Sequence, residues 1–435
     1  MGNKFWYYTG SKSLLMLSDI LFVMTITFVI YQDTQSVAYA ALFPLIRTLC
    51  QLLAGLISPV LTDHFQAGRL LKWVPLLRLV MLIVFTAQFH FFQQHMVWLF
   101  GALILISITG GFISPLLQAI MPMLVPANQL VKANSTASIF HQTVQIAGYS
   151  FTGMLVLLIG PFYLMWITCF MIVLSYLFFI PVFPLLKQED TVRKANKMNS
   201  FKDGWAIIWT NKTIRTLTFM DVCENMAGAV WIGAITLAFV THDLNESEEW
   251  WGFINAAYYT GAILGGLLAA WISRLIQKQL LLFMAAGSFI YAVLTIVFSL
   301  NSLPWLALLL CILMGPAYQI RDVSQQTILQ TETPVRDLSK VYSAHYVLSS
   351  VSVGLSIFFV GLIADAFGAR TVYLLGGLFV LICSGIAILA FMRQKKRAAD
   401  SCSGSFYFSF NIANMSRAIA SKIYTTGVCV VILAL

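Results

Sequence analysis

Long apolar runs follow one another along almost the whole of this chain. Each is roughly 17–25 residues, enough to cross a hydrocarbon core of about 30 Å as a helix. Twelve can be marked, at 14–32, 38–60, 73–92, 97–118, 138–160 and 163–183, and again at 216–240, 251–273, 280–300, 304–325, 342–363 and 371–391. Lipid leaves backbone N–H and C=O groups no partner outside their own segment, so runs of this kind predict helices. The pattern breaks in the middle, where Lys187-Gln-Glu-Asp-Thr-Val-Arg-Lys194 opens a polar, basic stretch. Within it Phe201, Trp205, Ile208 and Trp209 recur at i, i+4, i+7 and i+8, one face of a helix with Lys202 and Asp203 on the other side. That spacing predicts an interfacial helix, aromatics toward lipid and charges toward water. The expected organisation is a six-helix bundle over 1–184, a basic linker with its interfacial helix over 185–215, a second bundle over 216–395 and a tail over 396–435. The tail's last apolar run, Gly427 to Leu435, is too short to span, and the tail is assigned no role.

The two halves repeat. An offset of about 208 residues lays Gln118 on Gln326, Pro126 on Pro334, Leu130 on Leu338, Lys132 on Lys340, Gly153 on Gly361 and Gly160 on Gly368. Matches at Gly and Pro carry weight, because glycines let helices approach and prolines end them at the membrane surface. Parallel six-span repeats are one way that transporters place a site between two moving halves.

Composition agrees. Of 435 residues 59% are hydrophobic and 10% charged, and the mean hydropathy is +0.84. That is far too apolar for a water-facing surface. The net charge of +9 is distributed by side and does not point to nucleic acid. With the N-terminus inside, Lys4, Lys12, Arg69, Lys72, Lys132, Arg193, Lys194, Lys212, Arg215, Arg274, Lys278, Arg336, Lys340 and the Arg393–Arg397 cluster fall on the cytoplasmic side. The opposite loops hold Asp33, Asp243, Glu246, Glu248 and Glu249, with Arg370 as a base. This asymmetry predicts cytoplasmic N- and C-termini. The first apolar segment lacks a small-residue cleavage site and reads as a retained signal anchor. Seven scattered cysteines and six histidines form no metal-ligand spacing, disulfide framework or hydrolytic motif, so neither a metal cofactor nor an enzyme is expected.

Several stretches resemble the drug-exporting subgroup of the major facilitator superfamily that includes macrolide efflux pumps. Pro122-Met-Leu-Val-Pro126 with Leu130-Val-Lys-Ala-Asn134 is similar to its P-x-L-V-P and L-x-x-A-N. Leu329-Gln330 with Pro334, and Gly361-Leu-Ile-Ala-Asp365-Ala-Phe-Gly368-Ala-Arg370, match motifs of its second half, and Gly252 with Gly261-Ala-Ile-Leu-Gly265 resembles its eighth span. The resemblance covers about residues 4–395. It implies an all-α integral membrane protein with twelve transmembrane helices in two pseudo-symmetric six-helix bundles. It also implies a bacterial cytoplasmic membrane, a small-molecule substrate, a proton gradient as the energy source and function as a monomer. The loop between spans 2 and 3 departs from the superfamily pattern. Pro59 replaces its first glycine and His64 its base, while Asp63 and Arg69 remain as candidates for a conformational latch.

Ionisable groups at membrane depth are costly and therefore functional candidates. They are Asp19 in span 1, Arg47 in span 2, Asp221 and Glu224 in span 7, and Arg321 and Asp322 in span 10. Asp221, Glu224 and Asn225 fall on one helix face, where a proton bound between the two carboxylates would relieve their repulsion. Neutralisation of the acids by Arg47, Arg78 or Arg321 is the competing expectation. Among the aromatics, Tyr31 and Trp231 are candidates for a substrate cavity, whereas Trp250-Trp251 reads as interfacial belt. The expected function is proton-coupled efflux of small amphipathic compounds by rocker-switch alternating access. The alternatives are import of a nutrient or metabolite, and a non-transporting membrane sensor.

Overall fold

The computed structural model describes residues 1–65, 67–190, 200–231 and 233–401, and every regular element among them is helical. Contacts divide the chain into a body, Met1–Ile388, and a terminal segment, Leu389–Leu435. The tail expected at 396–435 lies outside the described residues from 402 onward.

The helices of the first half are α1 (Asn3–Thr34), α2 (Val37–His64), α3 (Ala67–Ala87), α4 (Met96–Gln118), α5 (Leu130–Ile159) and α6 (Pro161–Phe179). Those of the second are α7 (Lys212–Gly228), α8 (Glu249–Trp271), α9 (Leu280–Leu300), α10 (Pro304–Glu332), α11 (Val335–Phe367) and α12 (Ala369–Ser401). Their ends follow from local chemistry. The Ser36 side chain accepts from the Tyr39 amide at the start of α2, and Asn211 accepts from the Thr213 and Ile214 amides at the start of α7. Pro161 and Pro304 occupy first turns, where a missing N–H costs nothing. Nine stretches among the described residues are long and apolar enough to cross a membrane, one of them (Ala127–Leu186) holding both α5 and α6. A shorter apolar helix lies at Ala369–Gly385 in α12. Span 7 is not among them: Arg215, Asp221 and Glu224 interrupt its apolar run, and its α-helical geometry breaks after Gly228. After α7 come a 3₁₀ turn at Ala229–Trp231, a helical piece at Gly233–Ala238 and a π turn at Phe239–Asp243.

The repeat is visible in the packing. In the first half α1 packs on α5, and α2 and α3 on α4; in the second α7 packs on α11, and α8 and α9 on α10. The equivalent glycines, Gly160 and Gly368, end α5 and α11 with nearly identical backbones, φ 81° ψ 159° and φ 82° ψ 166°. That region is closed to residues with a Cβ. Pro126 and Pro334 likewise stand in extended backbone just ahead of matching helices.

The halves meet through α5 against α8 and α10, and through α2 against α11. Side-chain bonds joining them cluster toward the end that carries the N-terminus. Asn134 donates to Thr327 at 3.0 Å and to Gln330 at 2.8 Å, Ser138 donates to Gln319 at 2.5 Å, and Tyr346 donates to Gln51 at 3.2 Å. A short helix in the linker, Ser200–Thr210, packs on α11 and touches α2 at this same end. Its apolar face differs from the expectation. Ile208 is buried, and Trp205 packs into a cluster with Ile214, Leu217, Leu329, Leu338 and Val341, so protein covers that face, not lipid. Trp209, 60% exposed, remains outward, and the Phe201 side chain lies outside the described residues. Gly204 lies directly on the Lys340 backbone, where a Cβ would overlap it. Asp203 accepts from the buried Lys340 ammonium at 2.8 Å.

Candidate functional site

α7 rises about 14 Å from Lys212 to Asp221 at 1.5 Å per residue, which puts Asp221 and Glu224 deep in the bundle. Both carboxylates are engaged by α10. Arg321 Nη2 lies 3.1 Å from Asp221 Oδ1 and also bonds Glu224. Asp221 Oδ1 further accepts from Gln325 at 2.8 Å, and Oδ2 accepts from Asn225 at 2.8 Å and Ser349 at 2.7 Å. His345 Nε2 on α11 stands 3.4 Å from the same oxygen. Glu224 accepts in addition from Ser288 on α9. The acids therefore do not face each other bare; one guanidinium is divided between them. Charges so buried persist only when paired and hydrogen-bonded.

In the first half Asp19 on α1 is bound by Arg78 on α3, and lies 3.4 Å from Arg47 on α2. Asp19 thus sits in a three-helix ion cluster of its own, apart from Asp221. Asp322, one residue beyond Arg321, accepts from Gln326 at 3.2 Å. Lys12 on α1 interacts with Asp322 electrostatically, across the line between the halves.

A cavity of about 280 Å³ opens beside Glu224, lined by residues of the second half alone. Glu224, Asn225 and Arg321 form its charged and amide side, and Trp231, Tyr258, Tyr291 and Tyr318 its aromatic side. Trp231 lies at the break in span 7 and stacks on Tyr258 with centroids 6.0 Å apart and planes at 24°. Its indole N–H finds no hydrogen-bond partner among the described residues, and neither does Arg321 Nε. Irregular backbone at membrane depth is tolerated where it is buried in protein or lines a cavity, and the break is placed so. The matching helix of the first half, α1, runs unbroken for 32 residues. α8 reaches α10 over glycines: a Cβ at Gly261 or Gly265 would overlap the backbone at Ile312 or Gly315–Pro316.

Of the remaining candidates, Tyr31 is 45% exposed at the end of α1 and is not among the cavity residues. Arg69 is exposed near the start of α3, and the Asp63 side chain lies outside the described residues. His345, Gln325, Ser349 and Ser288 were missed from sequence, since a single polar residue inside an apolar run carries no periodic signal. The tyrosines had one usable signal: Tyr258-Tyr259 precedes the Gly261–Gly265 pair that draws α8 onto α10. Among the described residues, no grouping of His, Cys, Asp and Glu is suited to a metal ion.

Residues 19–422 match the family described as transmembrane secretion effector, so the match extends past residue 400 into the tail. The chain is 31% identical over 399 residues to YfmI of Bacillus subtilis, named an uncharacterized MFS-type transporter, covering 91% of this chain and 98% of that one. It is 23% identical over 407 residues to macrolide efflux protein A of Streptococcus pyogenes, covering 91% and 97%. Among solved structures, a bacterial homologue of the iron transporter ferroportin superposes with a TM-score of 0.69 at 14% identity, covering 89% of this chain and 99% of that one. The fucose:proton symporter of E. coli, FucP, superposes with 0.65 at 13%, covering 88% and 98%.

Proposed function

The chain belongs to the transmembrane secretion effector family of major facilitator transporters, and from that premise we propose that it is a proton-coupled exporter of small amphipathic compounds. It works as a monomer in the bacterial cytoplasmic membrane, with both termini inside, by alternating access between its two halves. The observation that carries this reading is the one-sided closure. The Asn134–Thr327 and Asn134–Gln330 bonds join the halves at the end bearing the N-terminus, and Ser138–Gln319 and Tyr346–Gln51 join them further in. The basic loops support a cytoplasmic position for that end, and on this reading the described state is closed inward. The ion cluster around Asp221 lies deeper than the Asn134 bonds and level with Tyr346–Gln51, since its His345 adjoins Tyr346, and a proton can be bound and released there.

Export is supported by the similarity to a macrolide efflux protein over nearly the whole chain, and proton coupling by the buried carboxylates Asp221 and Glu224. The test is transport in proteoliposomes against a panel of labelled amphipathic compounds under an imposed pH gradient. Exit from the cytoplasmic-side compartment, collapsing with an uncoupler and absent in Asp221→Asn, is the expected result. Gradient-independent movement, or inward accumulation, overturns coupling or direction respectively.

A further inference from the structure

The charges of the first-half cluster do not cancel. Asp19 is its one carboxylate, while Arg47 and Arg78 supply two guanidiniums. Arginine keeps its proton at every ordinary pH, so at least one positive charge is left over whether Asp19 is ionised or not. The acids of the second half are engaged elsewhere: Asp221 and Glu224 share Arg321, and Asp322 faces Lys12. Arg47 lies about 15 Å along α2 and Arg78 about 16 Å along α3, at 1.5 Å per residue. An unbalanced cation at that depth is costly and marks a functional group.

The excess belongs to Arg47. Arg78 bonds Asp19 directly and is 4% exposed by side chain. Arg47 stands 3.4 Å from the other carboxylate oxygen and is 24% exposed, whereas a charge-assisted hydrogen bond spans roughly 2.7–2.9 Å. Its surroundings are built for a guest. Arg47, Gln51 and Gly55 recur at i, i+4 and i+8, one face of α2. Gln51 accepts from Tyr346 at 3.2 Å, and a Cβ at Gly55 would stand 3.2 Å from the Tyr346 ring, so this face is turned to α11 of the second half. Tyr346 interacts electrostatically with Arg47. Behind Gln51, Gly110 of α4 leaves room for two side chains: a Cβ there would stand 3.4 Å from Gln51 Nε2 and 3.7 Å from Arg78 Nη1. Arg78 Nε is buried without a partner among the described residues. Hydrogen-bond donors from α2, α3 and α11 thus converge where the cluster lacks a negative charge.

We propose that Arg47, with Gln51 and Tyr346 beside it, is a subsite for the carboxylate of a small amphipathic organic anion. This deepens the transport reading by naming a class of solute, and rests on it for a role in export. The planar fork of an arginine matches a carboxylate. The guest takes the part of the Arg47 guanidinium that Asp19 leaves free, and with Asp19 ionised the cluster becomes neutral. An apolar body suits the Tyr346 ring and Val347, which flank the same face of α2 at Gly55. Arg47 and Tyr346 come from opposite halves, so this subsite is assembled between them, unlike the cavity beside Glu224.

Binding of 2-naphthoate to the purified full-length protein in detergent tests this, with 2-naphthamide as the uncharged isostere and acetate as the charge without the apolar body. The wild type is expected to prefer naphthoate over naphthamide by roughly tenfold or more, as a hydrogen-bonded charge contact implies. An equal concentration of acetate is expected not to displace it. Arg47→Gln should remove the preference while leaving Asp19 and Arg78 as a balanced pair, so the fold is expected to survive. Arg47→Lys keeps the charge without the planar fork; it should retain part of the preference, which separates a lost charge from a lost fold. Equal affinity of the wild type for the two probes, an unchanged Arg47→Gln variant, or displacement by acetate overturns the subsite. Counterflow of naphthoate in proteoliposomes separates the two readings. Naphthoate binding without counterflow of any solute supports the subsite and removes transport. Counterflow of other solutes with no carboxylate preference removes the subsite alone.

Discussion

Arg321 on α10 lies 3.1 Å from Asp221 on α7 and bonds Glu224 one turn further along the same helix, so one guanidinium serves two buried acids. Arg321→Ala takes the guanidinium from both carboxylates and leaves Asp221 with His345, 3.4 Å away. Removing one partner of a buried pair costs about 3–5 kcal/mol. The variant is expected to lose most of its folded yield, or to melt well below the wild type in detergent. Adding Asp221→Asn and Glu224→Gln to it should recover much of that loss. A triple variant no better than Arg321→Ala would mean that the arginine acts by packing and not by charge.

The Asn134–Thr327 contact, at 3.0 Å, joins α5 to α10 across the two halves. Asn134→Cys with Thr327→Cys, in a background free of other cysteines, is expected to cross-link under mild oxidation and to arrest transport reversibly. Cross-linking should diminish when this end is opened by substrate supplied on its side. Full transport by the cross-linked protein would show that this end does not open.

Gly261 on α8 has the Ile312 backbone where its Cβ would be, so Gly261→Leu must push α8 off α10. Overpacking of this sort costs about 1–3 kcal/mol and occasionally more, and here the obstacle is backbone. A drop in thermal stability is expected, together with loss of the 280 Å³ cavity as a binding site. Gly354→Leu on α11 is the control, because nothing lies within 4 Å of its Cβ position.

Lys340 is buried while its partner Asp203 is 41% exposed by side chain. Asp203→Ala leaves the ammonium with Asp337 at 3.9 Å as a further acid. Because water screens one side of the pair, the expected cost is about 1–2 kcal/mol. It should appear as faster proteolysis at the linker, and be recovered in part by pairing the variant with Lys340→Met.

The spans and their repeat were legible because lipid imposes a strict rule on length and polarity. The offset that pairs Gly160 with Gly368 even anticipated two equal backbone conformations. The charges were legible as candidates for the same reason: Asp221, Glu224 and Arg321 interrupt apolar runs. Their partition was not. Asp19 joins Arg78 and Arg47, while Asp221 joins Arg321 and His345, and sequence spacing says nothing about which distant helices meet. The linker helix was misread on its apolar face because amphipathic spacing reports that one side is covered without saying by what. Protein covers it at Ile208 and Trp205.

That cover gives the linker helix an allegiance. Ser200–Thr210 is bound to α11 through Asp203 and Gly204, so it belongs structurally to the second half although it precedes that half in the chain. If the gene is divided and the halves are produced as two polypeptides, a break placed ahead of Ser200 keeps the helix with the surface it covers. A break placed after Thr210 delivers it on the wrong piece and strips Lys340 of its cover.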